Sequence, residues 1–265
     1  MSTQYLAGST VSEEQISSWV EQFHRDGFLV LQDVLTPEMC AAMRDDLDKA
    51  LRDNHEEGDG IIQLHHRMFE VSPTNLSLFE LEPIVTFAEK LIAETTHCIH
   101  NNSFRVQPGP GKGITTWHQD DSPHFLVTEG EAPKNIKLPV LLFTANYYLT
   151  DVETPEYGPT QLIPSSHLFG KRCPPTIEGT EWEDKTVYAC GKAGSVVMFN
   201  NQVWHRGAPN LSDRVRYITQ VSYARRLVGH KYSPFMNYQM PEHVYKDASP
   251  RLKRLLGFLP NGAYG

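Results

Sequence analysis

The sequence predicts a mainly β fold with packed helices, in which a double-stranded β-helix core (a jelly roll, cupin-like) follows a set of N-terminal helices. Two observations predict it. Up to about residue 97 apolar residues recur at helical spacing, whereas beyond Cys98 the chain consists of short β-rich runs broken by glycine and proline. We expect a single domain over residues 1–265, with a helical part at about 10–97, the β-helix core at about 98–230 and a tail at about 231–265.

The N-terminal part contains the signals of three helices. The first has apolar residues at helical spacing, begins near Thr10 as a capping residue and stops at Gly27. A β-rich run, FLVLQDV, follows it. The second helix has Thr36 as its cap and Pro37 at its first position, and the third covers residues 83–95.

The core is predicted from six β-rich runs separated by turn signals: FRVQ, ITTWHQD, VLLFTANYYLT, TQLIP, SVVMFNN and RYITQVSYARR. Residues 107–113 and 123–139 are expected to form loops at strand ends. Loops on a rigid scaffold are where binding and catalytic residues concentrate.

The composition is that of a folded protein and opposes nucleic-acid binding. Apolar residues make up 40% of the chain and charged residues 21%, and the net charge of −8 is unfavourable for contact with phosphates. The chain shows no secretory signal pattern, no apolar run of about eighteen residues and no C-x-x-C pair. We therefore expect a cytoplasmic protein without nucleic-acid or membrane partners, either a monomer or a homodimer.

The segment WHQDDSPHF raises the question of a metal site. On a strand, His118 and Asp120 would point to the same face, and His205 in FNNQVWHRGAPN is the best candidate for a third ligand. Two histidines and one carboxylate on one face of an octahedron suit Fe(II) and leave positions open for a keto acid and O₂. The plainer alternatives are a solvated strand end for the H-x-D pair and a buried, backbone-bonded imidazole for His205.

An inward-facing arginine on the following β-rich run would need a partner, because a buried unpaired charge is very unfavourable. A dicarboxylate co-substrate supplies one, with its far carboxylate held by the guanidinium. Arg216 begins this run, and Arg214, two positions earlier, is expected on the same strand face, so their spacing alone does not choose between them. The alternative is that Arg216 is a surface residue of the strand.

Four segments together resemble the phytanoyl-CoA dioxygenase family of Fe(II)/2-oxoglutarate-dependent oxygenases: WHQD, YGPTQLIPSSH, HRGAPNLSDRVR and RDGFLVLQDVLTPEMCAAM. The resemblance covers roughly residues 13–226. It implies a double-stranded β-helix, His118, Asp120 and His205 as iron ligands, and Arg216 rather than Arg214 as the anchor for 2-oxoglutarate. It also implies that Thr160 contacts 2-oxoglutarate.

The chain departs from the family pattern where it has Pro164-Ser165-Ser166-His167 instead of P-G-S-H, so that a serine stands where a glycine can adopt a positive φ. It also has Tyr157-Gly158 where the family commonly has Asn-Gly. Neither departure affects a metal ligand.

The resemblance implies oxidation, by default hydroxylation, of a C–H bond, with 2-oxoglutarate and O₂ consumed and succinate and CO₂ released. Trp117 and His124 are candidates for substrate contact, and the loop at 123–139 and the tail at 232–245 are expected to line the mouth of the barrel. Aromatic and methionine residues of the tail suit an apolar small molecule, and a specialised metabolite is the expected substrate class.

Two other classes remain open: a non-catalytic metal-binding jelly-roll sensor, and a zinc hydrolase that uses the same three ligands around a water. Arg216 separates the hydrolase from the oxygenase, because a hydrolase does not need an inward guanidinium to hold a keto acid. Formation of succinate separates the sensor from the oxygenase, because a sensor would form none.

Overall fold

The structure, a computed structural model, describes residues 3–4, 10–54, 62–109 and 114–259. Its helices are α1 (Glu13–Asp26), α2 (Pro37–Asn54), α3 (Pro73–Ser77), α4 (Ile84–Leu91), α5 (Glu242–Tyr245) and α6 (Pro250–Leu255). Its strands are β1 (Thr3–Gln4), β2 (Phe28–Gln32), β3 (Ile62–His66), β4 (His97–Val106), β5 (Leu142–Tyr148), β6 (Thr160–Leu162), β7 (Val187–Ala189), β8 (Val196–Asn200), β9 (His205–Gly207) and β10 (Arg216–Ala224). None of the described helices is long and apolar enough to cross a membrane.

The strands form two sheets that together make the predicted double-stranded β-helix. The larger sheet has seven strands in the order β1-β2-β8-β5-β10-β4-β3, and the smaller has three in the order β7-β6-β9. Apart from the parallel pair β1–β2, the neighbouring strands are antiparallel. The two sheets face each other, and one apolar cluster joins side chains of both, such as Ile218 of the larger sheet and Leu162 of the smaller.

The larger sheet is covered on both faces: the helices pack on one face, and the smaller sheet lies over the other. Successive side chains of a strand therefore point alternately to the helices and to the smaller sheet. On β10, Val221 and Tyr223 point to the helices and belong to the main apolar core. Arg216, Ile218 and Gln220 point the other way, toward the smaller sheet and a cavity. The β10 strand lies between β5 and β4, and this central position puts its inner face at the bottom of that cavity.

Helix α1 covers the outer face of the larger sheet, as its apolar spacing predicts. Its cap is Ser12 rather than Thr10, since the Ser12 hydroxyl accepts a hydrogen bond from the backbone N–H of Gln15 at 3.2 Å. Phe23 is fully buried and meets the rings of Phe87 and Phe143 edge-on, at centroid distances of 5.5 and 5.7 Å. These contacts tie α1 to α4 and β5.

The N-terminal part is less purely helical than the sequence predicts. Strands β2 and β3 both join the larger sheet, and His65 and His66 lie on β3. The Thr36 cap is confirmed by a 3.3 Å hydrogen bond from the N–H of Met39. The third predicted helix ends at Leu91, four residues earlier than expected.

The turn in which serine replaces a glycine keeps the left-handed backbone. Ser165 has a φ of 62°, donates its N–H to the carbonyl of Asp26 at 2.8 Å and its hydroxyl to the carbonyl of Arg25 at 2.9 Å. Both bonds hold the turn against the end of α1. The side-chain hydrogen bond offsets the steric cost that a positive φ imposes on a non-glycine residue.

Gly27 connects α1 to β2 in a space that admits no side chain. Its φ is 81°, and an added Cβ would lie 2.3 Å from Cγ2 of Val203 and 2.6 Å from Nδ1 of His167. Replacing Gly27 with alanine is expected to lower the free energy of unfolding by about 2 kcal/mol or more, because backbone strain and overpacking each cost about 1–3 kcal/mol. Urea denaturation measures the loss.

Gly130→Ala is the matched control for this prediction. Gly130 also has a positive φ, of 77°, but nothing lies within 4 Å of an added Cβ, so its replacement carries the backbone strain alone. Equal losses of stability in the two variants would show that the contact with Val203 and His167 is irrelevant.

Candidate metal centre

His118, Asp120 and His205 converge at one end of the cavity. The Nε2 atoms of His118 and His205 lie 3.8 and 3.9 Å from Oδ1 of Asp120, and the ligand atoms of the three side chains all lie within 4.8 Å of one another. Ligand atoms that share one face of an octahedron lie about 3 Å apart when each is about 2.1 Å from the metal. The two histidine–aspartate spacings exceed this by about 1 Å, so small rotations of the three side chains are enough to bring their ligand atoms onto one metal.

Backbone hydrogen bonds bring these three residues together from distant parts of the chain. His118 and His205 form an antiparallel bridge, with N–H···O distances of 3.0 and 2.8 Å. Asp120 donates its N–H to the carbonyl of Asn201 at 2.8 Å, and its own carbonyl accepts from the side chain of Gln202 at 3.0 Å. The segment before β9 therefore fixes the positions of all three side chains.

The local structure around the H-x-D pair differs from the predicted strand. Within residues 114–120, only His118 makes a β-bridge, because the chain turns at Asp121, whose φ is 60°. His205 lies at the start of a short strand, β9, and not at the end of a longer one. The side chains converge as expected, but through a single bridge and not through an extended ladder.

Each histidine presents the same ring nitrogen to the site. Nδ1 of His118 lies 2.8 Å from the carbonyl of Thr116, and Nδ1 of His205 lies 2.8 Å from the carbonyl of Val203. A carbonyl accepts only from a protonated nitrogen, so Nε2 of each ring keeps its lone pair for a metal. Burial holds the pKa of His205 below its usual value, which favours the neutral, metal-binding form. Two oriented imidazoles and one carboxylate on one face fit Fe(II).

Arg216 is a buried cation with too few partners. Its side chain is 5% exposed, its Nε has no partner among the described residues, and its Nη1 reaches the carbonyl of Ala208 at a long 3.4 Å. Burial lowers its pKa to about 10, so the guanidinium remains charged at neutral pH. Such a group stabilises the protein poorly by itself and is suited to a carboxylate ligand.

The turn at Gly158 makes room for this guanidinium. Gly158 has a φ of 70°, and a Cβ there would lie 2.7 Å from both Nη1 of Arg216 and the carbonyl oxygen of Ala208. The Gly158 turn is therefore part of the guanidinium site. The turn keeps its positive φ although Tyr157 stands where the family commonly has asparagine.

The structure separates Arg214 from Arg216. Arg214 precedes β10, is exposed, and places its guanidinium 4.4 Å from the centre of the Tyr157 ring. The expectation that both arginines share one strand face is wrong, because β10 begins only at Arg216. Of the two, Arg216 alone lines the cavity that holds the histidines and the aspartate.

That cavity, of about 280 Å³, lies between the two sheets. His118, Asp120, His205, Arg216 and Thr160 all line it. Thr160 is buried on β6, and its N–H donates to the hydroxyl of Tyr148 at 3.0 Å. All five residues assigned to metal or co-substrate thus meet in one space.

Trp117 and His124 are not among the described residues that line the cavity. Trp117 is 4% exposed and packs with Ile163, Ile177 and Trp204. The side chain of His124 is exposed, and its N–H donates to Oε1 of Gln202 at 2.8 Å. In the structure, Trp117 therefore contributes to the packing beneath the metal ligands, and His124 to the surface beside them.

The expected lining of the mouth by residues 123–139 and 232–245 is not observed. Tyr232 is buried in the main core, and the tail residue that does reach the cavity is Lys231. Sequence reasoning missed Lys231 and a set of polar residues on the larger sheet: His100, Asn102, Thr144, Asn146, Gln220 and Ser222. They lie among other polar residues of β4, β5 and β10, and no local sequence pattern marks them as one group.

The chain matches the model of a known protein family. Residues 23–218 match the family described as "Phytanoyl-CoA dioxygenase (PhyH)". The matched residues include His118, Asp120, His205 and Arg216 and run from α1 into β10.

Two similar proteins and two similar structures extend this comparison. Dioxygenase trt7 of Aspergillus terreus is 22% identical over 263 residues, covering 94% of this chain and 85% of that protein. Ectoine dioxygenase of Nocardia farcinica is 25% identical over 235 residues, covering 77% of this chain and 76% of that protein.

Among solved structures, HygX from Streptomyces hygroscopicus, with nickel and 2-oxoglutarate bound, superposes with a TM-score of 0.62 at 15% identity, covering 84% of this chain and 90% of that one. The epimerase SnoN, in complex with Fe3+, alpha ketoglutarate and nogalamycin RO, superposes with a TM-score of 0.64 at 17% identity, covering 87% and 94%. At these identities the superpositions establish a shared fold.

Proposed function

This chain belongs to the phytanoyl-CoA dioxygenase family of Fe(II)- and 2-oxoglutarate-dependent oxygenases, and on that premise we propose that it hydroxylates a C–H bond of a small molecule. The small molecule is a specialised metabolite. The overall reaction converts substrate, 2-oxoglutarate and O₂ into hydroxylated product, succinate and CO₂. Similar proteins support this substrate class, since they include an ectoine dioxygenase and an epimerase solved in complex with nogalamycin RO.

One observation carries the proposal: the under-partnered Arg216 guanidinium lines the same cavity as His118, Asp120 and His205. In the proposed arrangement, the two histidines and the aspartate hold Fe(II), and Arg216 binds the distal carboxylate of 2-oxoglutarate. Thr160 of the smaller sheet lines the same cavity and, in this proposal, contacts the keto acid. A metal triad alone would suit several types of reaction. A triad together with a guanidinium that has few protein partners in the same cavity fits a dicarboxylate co-substrate.

When bound, iron and 2-oxoglutarate supply the oxidising chemistry. The protein's own contribution is to hold and orient. The backbone carbonyls at Thr116 and Val203 fix the ring orientation of the two histidines. Ile218 and Phe199 line the cavity beside the polar groups and reduce access of water to it.

Asp120 favours hydroxylation over chlorination. Related halogenases have a small residue in place of this carboxylate, which frees a position for chloride. In this chain the carboxylate is present and lies within 3.9 Å of both imidazoles. Hydroxylation is therefore the outcome that the ligand set supports.

The zinc hydrolase and the non-catalytic sensor gain no support from particular contacts. A hydrolase leaves Arg216 without a function and with a desolvated charge. A sensor would bind iron and 2-oxoglutarate without consuming them.

Succinate formation and isotope incorporation test the proposal. Purified protein is incubated with Fe(II), 2-oxoglutarate and a library of small specialised metabolites under isotopically heavy dioxygen. We expect at least one compound to accelerate succinate formation and to gain one heavy oxygen atom. Succinate formed together with a desaturated or rearranged product would replace hydroxylation by another oxidation, and the absence of Fe(II)-dependent succinate would favour the sensor.

A further inference from the structure

The inner face of the larger sheet is divided into zones along its strands. Next to Arg216 lies an apolar row, in which Ile218 of β10 pairs with Phe104 of β4 and Tyr148 of β5. In the next row, Gln220 pairs with Asn102 and Asn146. Strand pairing places each of these residues directly opposite its neighbours, so the change from apolar to polar is sharp.

A second polar row follows at the end farthest from Arg216. Ser222 of β10 pairs with His100 of β4 and Thr144 of β5, and the hydroxyls of Ser222 and Thr144 lie 2.9 Å apart. Most of these polar side chains are buried, Asn102, Thr144 and Asn146 being only 6–7% exposed. Burial of polar groups is costly unless they find partners. The far half of the cavity is therefore built for a polar ligand.

The amide row is held in place by its own hydrogen bonds. Nε2 of Gln220 donates to Oδ1 of Asn146 at 2.8 Å, and Asn102 lies between Nδ1 of His66 and Nε2 of His100, at 3.0 and 2.6 Å. Among the described residues, these bonds leave the Asn146 N–H₂ donor and the Gln220 carbonyl acceptor directed to a ligand. Groups that are already oriented lose little entropy when they bind.

Lys231 adds a positive charge at this polar end. Its backbone N–H is fixed to the carbonyl of Ile99 at 2.7 Å, and its ammonium lies 3.9 Å from Asp121. Both side chains of this ion pair are about half exposed, at 40% and 51%, so the pair is weak and the ammonium is available to a ligand. Burial and the nearby Lys231 lower the pKa of His100 to about 4, so that histidine is neutral at neutral pH.

The charged residues that line the whole cavity also favour a negatively charged ligand. Its lining includes the cations Arg206, Arg216 and Lys231 and one carboxylate, Asp120. The charge of +2 on Fe(II) and the charge of −2 on 2-oxoglutarate cancel when both are bound. The cavity therefore retains an excess of positive charge for the substrate. One lysine among neutral amides matches a singly charged group better than a phosphate, which recruits several cations or a helix N-terminus.

We propose that the prime substrate is a small, polar carboxylic acid whose carboxylate binds Lys231 while its other polar groups meet the row of Asn146, Gln220 and Asn102. This inference rests on the proposed function and names the substrate class of the same site. It replaces the apolar substrate expected from the tail, because the tail aromatics do not line the cavity. The carbon to be oxidised then faces the metal ligands from the polar end of the cavity, while 2-oxoglutarate occupies the end at Arg216.

A panel of small polar carboxylic acids, hydroxy acids and amino acids among them, tests the proposal, each acid paired with its carboxamide and its phosphonate analogue. Binding is measured by calorimetry to protein loaded with Fe(II) and 2-oxoglutarate without O₂, and succinate formation is measured separately in air. We expect acids that bind, with the matching carboxamides at least about tenfold weaker. Phosphonates that bind better, equal binding of carboxamides, or an absence of binding by every acid would overturn the proposal.

Variants at Lys231 test whether this residue binds the carboxylate of the preferred acid. Lys231→Met is expected to weaken binding of the preferred acid at least about tenfold, and Lys231→Glu to remove the preference for acid over carboxamide. Lys185→Met, which removes another exposed, ion-paired lysine that does not line the cavity, is the control and should bind as the wild type does. Asn146→Asp should also weaken binding, since it replaces the free donor with a carboxylate.

The two readouts separate this inference from the proposed function. Acids that bind through Lys231 but cause no succinate formation would preserve the inferred ligand class and contradict the oxygenase. Succinate formation driven by a neutral or cationic compound would preserve the oxygenase and contradict the ligand class. An unchanged affinity in Lys231→Met would also contradict it.

Discussion

Replacing His205 with alanine is expected to reduce iron-dependent succinate formation more than about 100-fold, because even the outer partners of metal ligands contribute about 10–100-fold to metal affinity or activity. His205 is the most buried of the three ligands, with a side chain 8% exposed against 34% and 30% for His118 and Asp120. Its loss removes one imidazole and the contact between the two histidine rings, whose centres lie 4.3 Å apart. Fe(II) binding, measured by equilibrium dialysis without O₂, should fall together with turnover.

His243→Ala is the matched control for this change. His243 is an exposed histidine on α5, remote from the cavity lining, and its Nε2 lies 2.8 Å from the carbonyl of Glu70. The variant should bind Fe(II) as the wild type does. His205→Gln keeps a polar side chain of similar length, so it separates loss of the ligand from loss of packing. Retention of one tightly bound Fe(II) in His205→Ala would show that another set of residues holds the metal.

Replacing Arg216 with methionine is expected to raise the 2-oxoglutarate concentration needed for half-maximal turnover at least about 30-fold, the equivalent of about 2 kcal/mol for removal of one partner of a buried charge pair. The metal ligands are untouched, so Fe(II) binding should be retained. Succinate formation as a function of 2-oxoglutarate concentration measures the effect. The 2-oxoglutarate concentration that Arg216→Lys needs for half-maximal turnover should lie between those of the wild type and Arg216→Met. An ammonium keeps the positive charge but cannot bind a carboxylate through two parallel hydrogen bonds.

The same variant is expected to stabilise the protein when no ligand is bound. Arg216 is a desolvated charge whose best protein partner is a carbonyl at 3.4 Å, and replacing such a group by an apolar side chain is often neutral or stabilising by about 1–4 kcal/mol. Urea denaturation without ligand should show an equal or higher free energy of unfolding, and added 2-oxoglutarate should no longer raise it. A variant that is strongly destabilised without ligand, yet keeps the wild-type 2-oxoglutarate requirement, would show that the guanidinium is structural.

Much of the fold was predictable because the chain follows local rules. Helices α1 and α2 carry apolar spacing, caps and stop signals, and the runs that became β5, β8 and β10 are rich in β-branched and aromatic residues. The N-terminal strands were harder to assign. The pairing of β3 with β4 joins residues about forty positions apart, and no local pattern encodes that partner.

The candidate site was predictable to the extent that a family motif names its residues. The i, i+2 spacing of His118 and Asp120 indicated that their side chains point to the same side. The bridge from His118 to His205 joins distant parts of the chain, so no local sequence pattern predicts it. The choice of Arg216 over Arg214 from residues alone was not possible, because it depends on where β10 begins. Trp117 was a candidate by its position beside His118, and its packing against Trp204 follows from the alternation of side chains around the bridge.

The polar wall escaped sequence reasoning for a physical reason. A sheet covered on both faces has mostly buried residues, so Asn102, Asn146 and Gln220 give no exposed polar face that would mark them as functional. They become meaningful only when β4, β5 and β10 are aligned and the three amides fall in one row. Lys231 lies outside these strands, and its position near His100 follows from the path of the tail.

An anaerobic absorbance titration tests the central claim most directly. Fe(II) is added to protein with 2-oxoglutarate, and the account predicts a weak visible charge-transfer band that saturates at one Fe(II) per chain. The band should be lost in His205→Ala and should require much more 2-oxoglutarate in Arg216→Met. A band of wild-type strength in both variants would contradict the account, because the metal and the keto acid would then be bound elsewhere.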